Sequence, residues 1–218
     1  MGKFHSAKFL FSLGIFAAFF PFLIKRFLVL GSEDYLYWIS VDYISRGVSL
    51  LGLVLIACCR SPLLTPPERA GVGRSFEIFL MMFVATVFIE AVAVPAFSLH
   101  IRILELSYFP RIENPTLRWL DLNLGLILVA VSEELVFRRV MLNVINNSSK
   151  NTTLAVLISS ITFGLVHWSS GLTMIIVTFL IGLVFAIAYL RSGRILLCIT
   201  THYFIDRFGP FLRGGELG

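Results

Sequence analysis

Charge is scarce in this sequence. Only 14% of its 218 residues are Asp, Glu, Lys or Arg, while 57% are hydrophobic. A soluble domain is near half apolar and about a quarter charged, so this composition excludes an ordinary soluble protein. Cysteine is also rare. Cys58, Cys59 and Cys198 all lie in apolar stretches, which excludes a disulfide framework and leaves them as small buried hydrophobes. No internal repeat and no low-complexity tract occurs, and the HExxH pattern of zinc peptidases is missing. The net charge of +5 comes from basic residues flanking apolar runs, as anionic head groups favour. None forms a continuous basic surface, so nucleic acid is excluded as a partner.

Long apolar runs are what the chain has instead. Crossing the hydrocarbon takes about 20 mostly apolar residues, and runs near that length lie at roughly 8–29, 36–58, 76–99, 121–145, 153–170, 172–190 and 195–212. The fold class expected is all-α: a polytopic transmembrane helix bundle of about seven spans, six to eight. The first run follows a basic start but no cleavage site follows it, so it reads as a retained span rather than a signal peptide. "RSPLLTPPERAGVGR" (60–74) is punctuated by three prolines and two glycines and cannot continue a helix. "IRILELSYFPRIENPTLRW" (101–119) mixes charge with aromatics and reads as an interfacial segment. "NNSSKNTT" (146–153) and "RSGR" (191–194) read as turns. Basic residues divide almost evenly between the two ends of the spans, so they leave the orientation open.

The few charges that remain are in the wrong place. "LILVAVSEELVFRRVMLNVI" (126–145) puts Glu133, Glu134, Arg138 and Arg139 in the middle of a span. A charge at a helix centre costs about 2.5–3.5 kcal/mol on insertion scales, so Glu133 and Glu134 must face protein or water rather than lipid. Glu134 and Arg138 are four residues apart and share a helix face, which predicts an ion pair. Glu133 lies about 100° away around the helix, so it needs a different partner. "SSITFGLVHWSSG" (159–171) places His167 one helical turn after Phe163. "CITTHYFIDRF" (198–208) places His202 and Asp206 one turn apart. Each insertion alone has a structural explanation; three on successive apolar helices make a site. Asp42 and Arg46, four apart, read as a pair closed within the second span. Glu90 is an isolated acid in the third span, read as structural, with a supporting contact to the site or an ion path as the alternatives.

A carboxylate and an imidazole on neighbouring helices can hold a water between them, and a second imidazole can stabilise an oxyanion. That set suffices for peptide hydrolysis. The same side chains, Glu133, His167 and His202, also suit a zinc ion.

Three motifs in order, EExxxR at 133–138, FxxxH at 163–167 and Hxxx(N/D) at 202–206, resemble the CPBP family, the CAAX protease and bacteriocin-processing or Abi family of intramembrane endopeptidases. The resemblance runs from the fourth span onward. It divides the chain into amino-terminal transmembrane helices and interfacial loops, 1–119, and a CPBP-like catalytic core, 120–218. It implies Glu133 as general base, His167 as a holder of the nucleophilic water, and His202 with Asp206 at the oxyanion site. Glu134, Arg138 and Phe163 would support them. Family members often carry Asn at the last position; Asp206 donates a hydrogen bond only when protonated, so it can instead orient His202. The resemblance favours a metal-independent glutamic mechanism with no cofactor, zinc being the alternative. The partners it implies are the bilayer and a peptide or protein substrate in or beside it, and the setting a bacterial inner membrane. Two other readings of the same residues are a non-enzymatic immunity or scaffold protein and a proton-coupled transporter.

Overall fold

The computed structural model describes residues 2–59, 62–100 and 112–212, and among them the chain forms seven helical rods and no strand. We label them α1 (Gly2–Leu28), α2 (Tyr35–Cys58), α3 (72–100), α4 (115–149), α5 (Thr152–Leu165), α6 (Leu172–Ser192) and α7 (Ile195–Leu212). The rods alternate in direction. Asn147 at the end of α4 donates to the Leu63 carbonyl just beyond α2, and Arg194 at the α6–α7 turn donates to Ser75 at the start of α3. At the opposite end, Phe27 of α1 packs at a tilt against Trp168 before α6, and the Tyr43 hydroxyl of α2 donates to Asp121 of α4.

Local chemistry sets the boundaries. The Asp34 and Asn114 side chains accept from backbone N–H groups of the first turns of α2 and α4, and Asn151 does so for α5, satisfying donors that a helix start leaves open. Asn147 ties the end of α4 to the Leu63 and Thr65 carbonyls. Gly193, at φ 64°, closes α6 in the left-handed conformation that favours glycine.

Several expected boundaries shift. α3 begins at Val72 after Gly71, without a side-chain cap, and α4 at Pro115, where Asn114 caps and proline fits the first turn. The interfacial stretch expected at 101–119 therefore ends in the first turn of α4, and its part at 101–111 lies outside the described residues. The expected run 153–170 stops at Leu165; turns occupy 166–169, and Gly171 at φ 97° leads into α6. At 14 residues, α5 rises about 21 Å, less than the roughly 30 Å hydrocarbon core. Four stretches, Leu10–Leu28, Tyr35–Cys58, Val72–Phe97 and Leu172–Ser192, are long and apolar enough to cross a membrane. α4, α5 and α7 are the shorter or more polar rods, and they hold the charged motifs. Of the cysteines, only Cys198 is buried; Cys58 is exposed and Cys59 half-buried, because the end of α2 turns that face outward.

Two apolar clusters hold the rods together. Ala18, Phe22, Ile56, Val136, Phe137 and Phe163 join α1, α2, α4 and α5, while Met82, Leu142, Val177, Phe185 and Tyr189 join α3, α4 and α6. α4 belongs to both. Large apolar side chains such as Phe16, Leu51, Phe76 and Val84 point outward, the reverse of a soluble surface and the arrangement a bilayer requires.

Backbone contact between α1 and α2 depends on Gly52. A Cβ there would sit 2.5 Å from the Ala18 nitrogen, so only glycine allows the close crossing that small residues give membrane helices. Gly47, on the same helix, would meet nothing within 4 Å. Gly52→Leu is expected to destabilise the protein by about 1–3 kcal/mol or more through overpacking, while Gly47→Ala leaves it unchanged or slightly more stable. Thermal unfolding in detergent reads both, and equal midpoints for the two variants would refute this account of the crossing.

Candidate active site

The adjacent carboxylates of α4 diverge as the 100° offset requires. Glu134 turns toward α7: its Oε2 lies 3.2 Å from Arg138 Nε, and its Oε1 2.8 Å from His202 Nδ1. The expected i,i+4 pair is present. Glu133 turns toward α2, where Arg46 Nη1 donates to its Oε1 at 3.0 Å. Its Oε2 is buried, has no hydrogen-bond partner among the described residues, and lies 3.8 Å from His202 Nε2.

Arg46 is the partner that sequence reasoning missed. Its pair with Asp42 exists, Nε to Oδ2 at 2.7 Å, but it is not closed. Nη1 reaches both Glu133 and Ser132, the latter at 2.9 Å, and Asp42 also accepts from Lys25 of α1 at 2.6 Å. A guanidinium has five N–H donors, more than one carboxylate can take up. That surplus was the available signal. Lys25, Asp42, Arg46, Glu133, Glu134 and Arg138 are each at most 6% exposed. Three cations therefore face three anions in a buried chain crossing α1, α2 and α4.

Phe163 organises the opposite wall. Its ring meets His167 edge-on at 5.2 Å and His202 at 6.0 Å, and Arg138 lies over it at 4.2 Å. The aromatic position of FxxxH thus separates two imidazoles and offers its π-face to the buried guanidinium. His167 was expected on a helix; it lies in the turn just past α5, yet its Nδ1 still donates to the Phe163 carbonyl at 2.8 Å. This bond puts the proton of the neutral ring on Nδ1 and leaves Nε2 as an acceptor. His202 faces carboxylates on both sides, Glu134 at Nδ1 and, at Nε2, Asp206 at 3.4 Å and Glu133 at 3.8 Å. An imidazolium can donate to both sides at once.

A cavity of about 230 Å³ opens onto these groups, lined by Glu90, Phe163, His167, Phe185, His202 and Asp206 among others. Glu133 stands behind its wall, at His202. Glu90 is 4% exposed and sits in a π-helical turn, Ile89–Ala93, that interrupts α3. Read as structural from the sequence, it lines the same space as the two histidines; its isolation in a span was the only signal. Among the described residues, no three His, Cys, Asp or Glu side chains are arranged to hold a metal ion. Glu133, His167 and His202 each commit one atom to a protein partner.

Buried carboxylates and imidazoles thus surround a cavity inside the helix bundle. Residues 115–208 match the family model described as type II CAAX prenyl endopeptidase Rce1-like. That part of the chain, α4 through most of α7, carries all three motifs. The chain is accordingly a multi-pass integral membrane protein of the CAAX-protease-like kind. No curated protein and no solved structure matches it.

Removing one member of a buried ion pair strands the other, at about 3–5 kcal/mol. Arg138→Gln is expected to destabilise the protein by that order, and the double change Glu134→Gln with Arg138→Met to recover much of the loss. Unfolding in a denaturing-detergent titration measures both. An Arg138→Gln protein as stable as the parent would show that the pair is not holding α4.

Proposed function

We propose that this protein is an intramembrane endopeptidase that hydrolyses a peptide bond of a membrane-associated protein or peptide with a glutamate-activated water. The observation that carries the reading is Glu133. One oxygen is held by Arg46, and the other is buried and unbonded beside the His202 ring.

In this reading Glu133 Oε2 removes a proton from the water as its oxygen bonds the scissile carbonyl carbon. His167 Nε2 accepts the second hydrogen and so aims the lone pair. His202, a donor at Nε2, stabilises the oxyanion. The C–N bond then breaks, and the proton held by Glu133 passes to the leaving amine. Asp206 can only accept in its ionised form, so it acts as a positioning residue for His202. Glu134 and Arg138 hold His202 from its other side, and Phe163 spaces the imidazoles. Arg46 acts through Glu133 by fixing the orientation of its carboxylate. No step needs a cofactor; zinc held by Glu133, His167 and His202 is the alternative that chelation tests. The family match supports a substrate in or beside the bilayer, such as a carboxy-terminal segment in processing or protein sorting, and the setting we infer is a bacterial inner membrane.

Cleavage of candidate membrane peptides in liposomes tests this, with and without a chelator. General acid–base groups contribute about 10²–10⁴-fold, and losses of that order are expected for Glu133→Gln and His167→Ala, with chelation leaving the parent rate unchanged. Loss on chelation with rescue by zinc would make the same residues metal ligands. Cleavage by Glu133→Gln at the parent rate would end the assignment of the base. Arg46→Gln is expected to lower kcat by about 10–100-fold with KM little changed, and Arg46→Lys to restore part of it, because a cation again faces Glu133. A loss confined to KM would remove Arg46 from the mechanism.

A further inference from the structure

Two larger cavities lie away from the histidines, at the end of the bundle where α2 and α4 finish and α3 and α7 begin. The first, about 470 Å³, is lined by Pro66, Arg69, Arg139, Tyr189 and Arg194 with the first turn of α7. The second, about 460 Å³, is an apolar groove between α2 and α4, lined by Leu53, Ile56, Ala57, Leu64, Leu135 and Val140. Arg139 lines both, and Leu64 of the groove is two residues from Pro66 of the basic cavity.

The basic cavity is built rather than incidental. Arg194 Nε donates to Ser75 Oγ at 2.9 Å and its Nη2 to the Ala70 carbonyl at 3.1 Å. The 65–71 segment is pinned to the α6–α7 turn by the Ala70 N–H, which donates to the Ser192 carbonyl at 3.0 Å, and Gly193 leaves room for the Glu68 backbone. Arg139 reaches the buried Tyr189 hydroxyl at 3.4 Å, and Asn143 holds that hydroxyl at 3.0 Å. Among the described residues none of the three arginines forms an ion pair, and no carboxylate lines the cavity. Three guanidinium groups thus converge without an anion, beside an apolar groove, at the polar edge of a membrane protein. Exposed Arg74, Lys150 and Arg191 surround the same end.

We propose that this end of the molecule binds an anionic phospholipid, its phosphate among Arg69, Arg139 and Arg194 and one acyl chain along the α2–α4 groove. Guanidinium groups match phosphate oxygens by bidentate hydrogen bonding, and the groove supplies the apolar half that a free phosphate lacks. Basic pockets between transmembrane helices recognise lipid head groups on these terms.

Titration of the purified protein in neutral detergent with phosphatidylglycerol, followed by thermal unfolding, tests the site. A saturable rise in unfolding temperature is expected, with phosphatidylcholine of the same chains giving little. Arg69→Gln and Arg139→Gln should each weaken phosphatidylglycerol binding roughly fivefold, whereas Glu133→Gln should bind it as the parent does. Arg69 is exposed and has no side-chain bond to lose among the described residues, so its variant folds even if others do not. Equal shifts from both lipids, or parent-like binding by Arg69→Gln and Arg139→Gln, would overturn the proposal. Displacement of the lipid by inorganic phosphate at comparable concentration would also overturn it, since the groove would then contribute nothing.

Discussion

The bond from Arg46 to Glu133 joins what the motifs alone leave separate. Consecutive carboxylates on a helix must point about 100° apart, so they take their nearest cations from different directions. Glu134 is answered on its own helix by Arg138 and across the bundle by His202. Glu133 takes its hydrogen bond from α2, with His202 at 3.8 Å from its other oxygen. The family match begins at residue 115, so its helices are chemically incomplete without a guanidinium that lies outside it. The amino-terminal pair is therefore not padding: Gly52 and Ala18 set the α1–α2 crossing, and the crossing sets where Lys25, Asp42 and Arg46 meet α4.

Balance makes such a network tolerable. Each isolated charge inside a membrane bundle would cost several kcal/mol, yet Lys25, Arg46 and Arg138 pair with Asp42, Glu133 and Glu134. The same geometry leaves Oε2 of Glu133 unbonded beside the Nε2 side of His202. Helix irregularity belongs to it too, because π-helical turns occur at Leu135–Leu142 in α4 and at Ile89–Ala93 in α3. Such turns carry an extra residue and are frequent at functional sites; here one follows the glutamate pair directly and the other carries Glu90 to the cavity.

Reading the sequence recovered what depends on local spacing. The Glu134–Arg138 pair and the divergence of Glu133 follow from helix geometry, and the all-α bundle follows from the apolar runs. Long-range choices were not legible. Arg46 looked satisfied by Asp42 because an i,i+4 carboxylate is the nearest explanation, and nothing local says that Lys25 competes for the same acid. The end of α5 was hidden for another reason: "FGLVH" contains no proline or charge, and the stop comes from a turn completed at Gly171. His167 keeps its partner through that change because its Nδ1 bonds a carbonyl of the last helical turn, which exists whether or not the helix continues.

Arg138 and Arg139 show how far position, rather than residue type, decides the fate of a charge. They are neighbours on one helix, yet Arg138 is fully buried between a carboxylate and two aromatic rings, while Arg139 is half-buried and finds only a phenol. The first is neutralised within the chain because lipid and water are both excluded from its site. The second lies between an apolar groove and a basic cavity at the bundle's end, where a counter-charge can come from outside the protein. A sequence scored only for apolar and charged positions treats these two arginines alike. Their separation into an internal ion pair and an outward-facing cation is made by the packing of α2, α5 and α6 around α4.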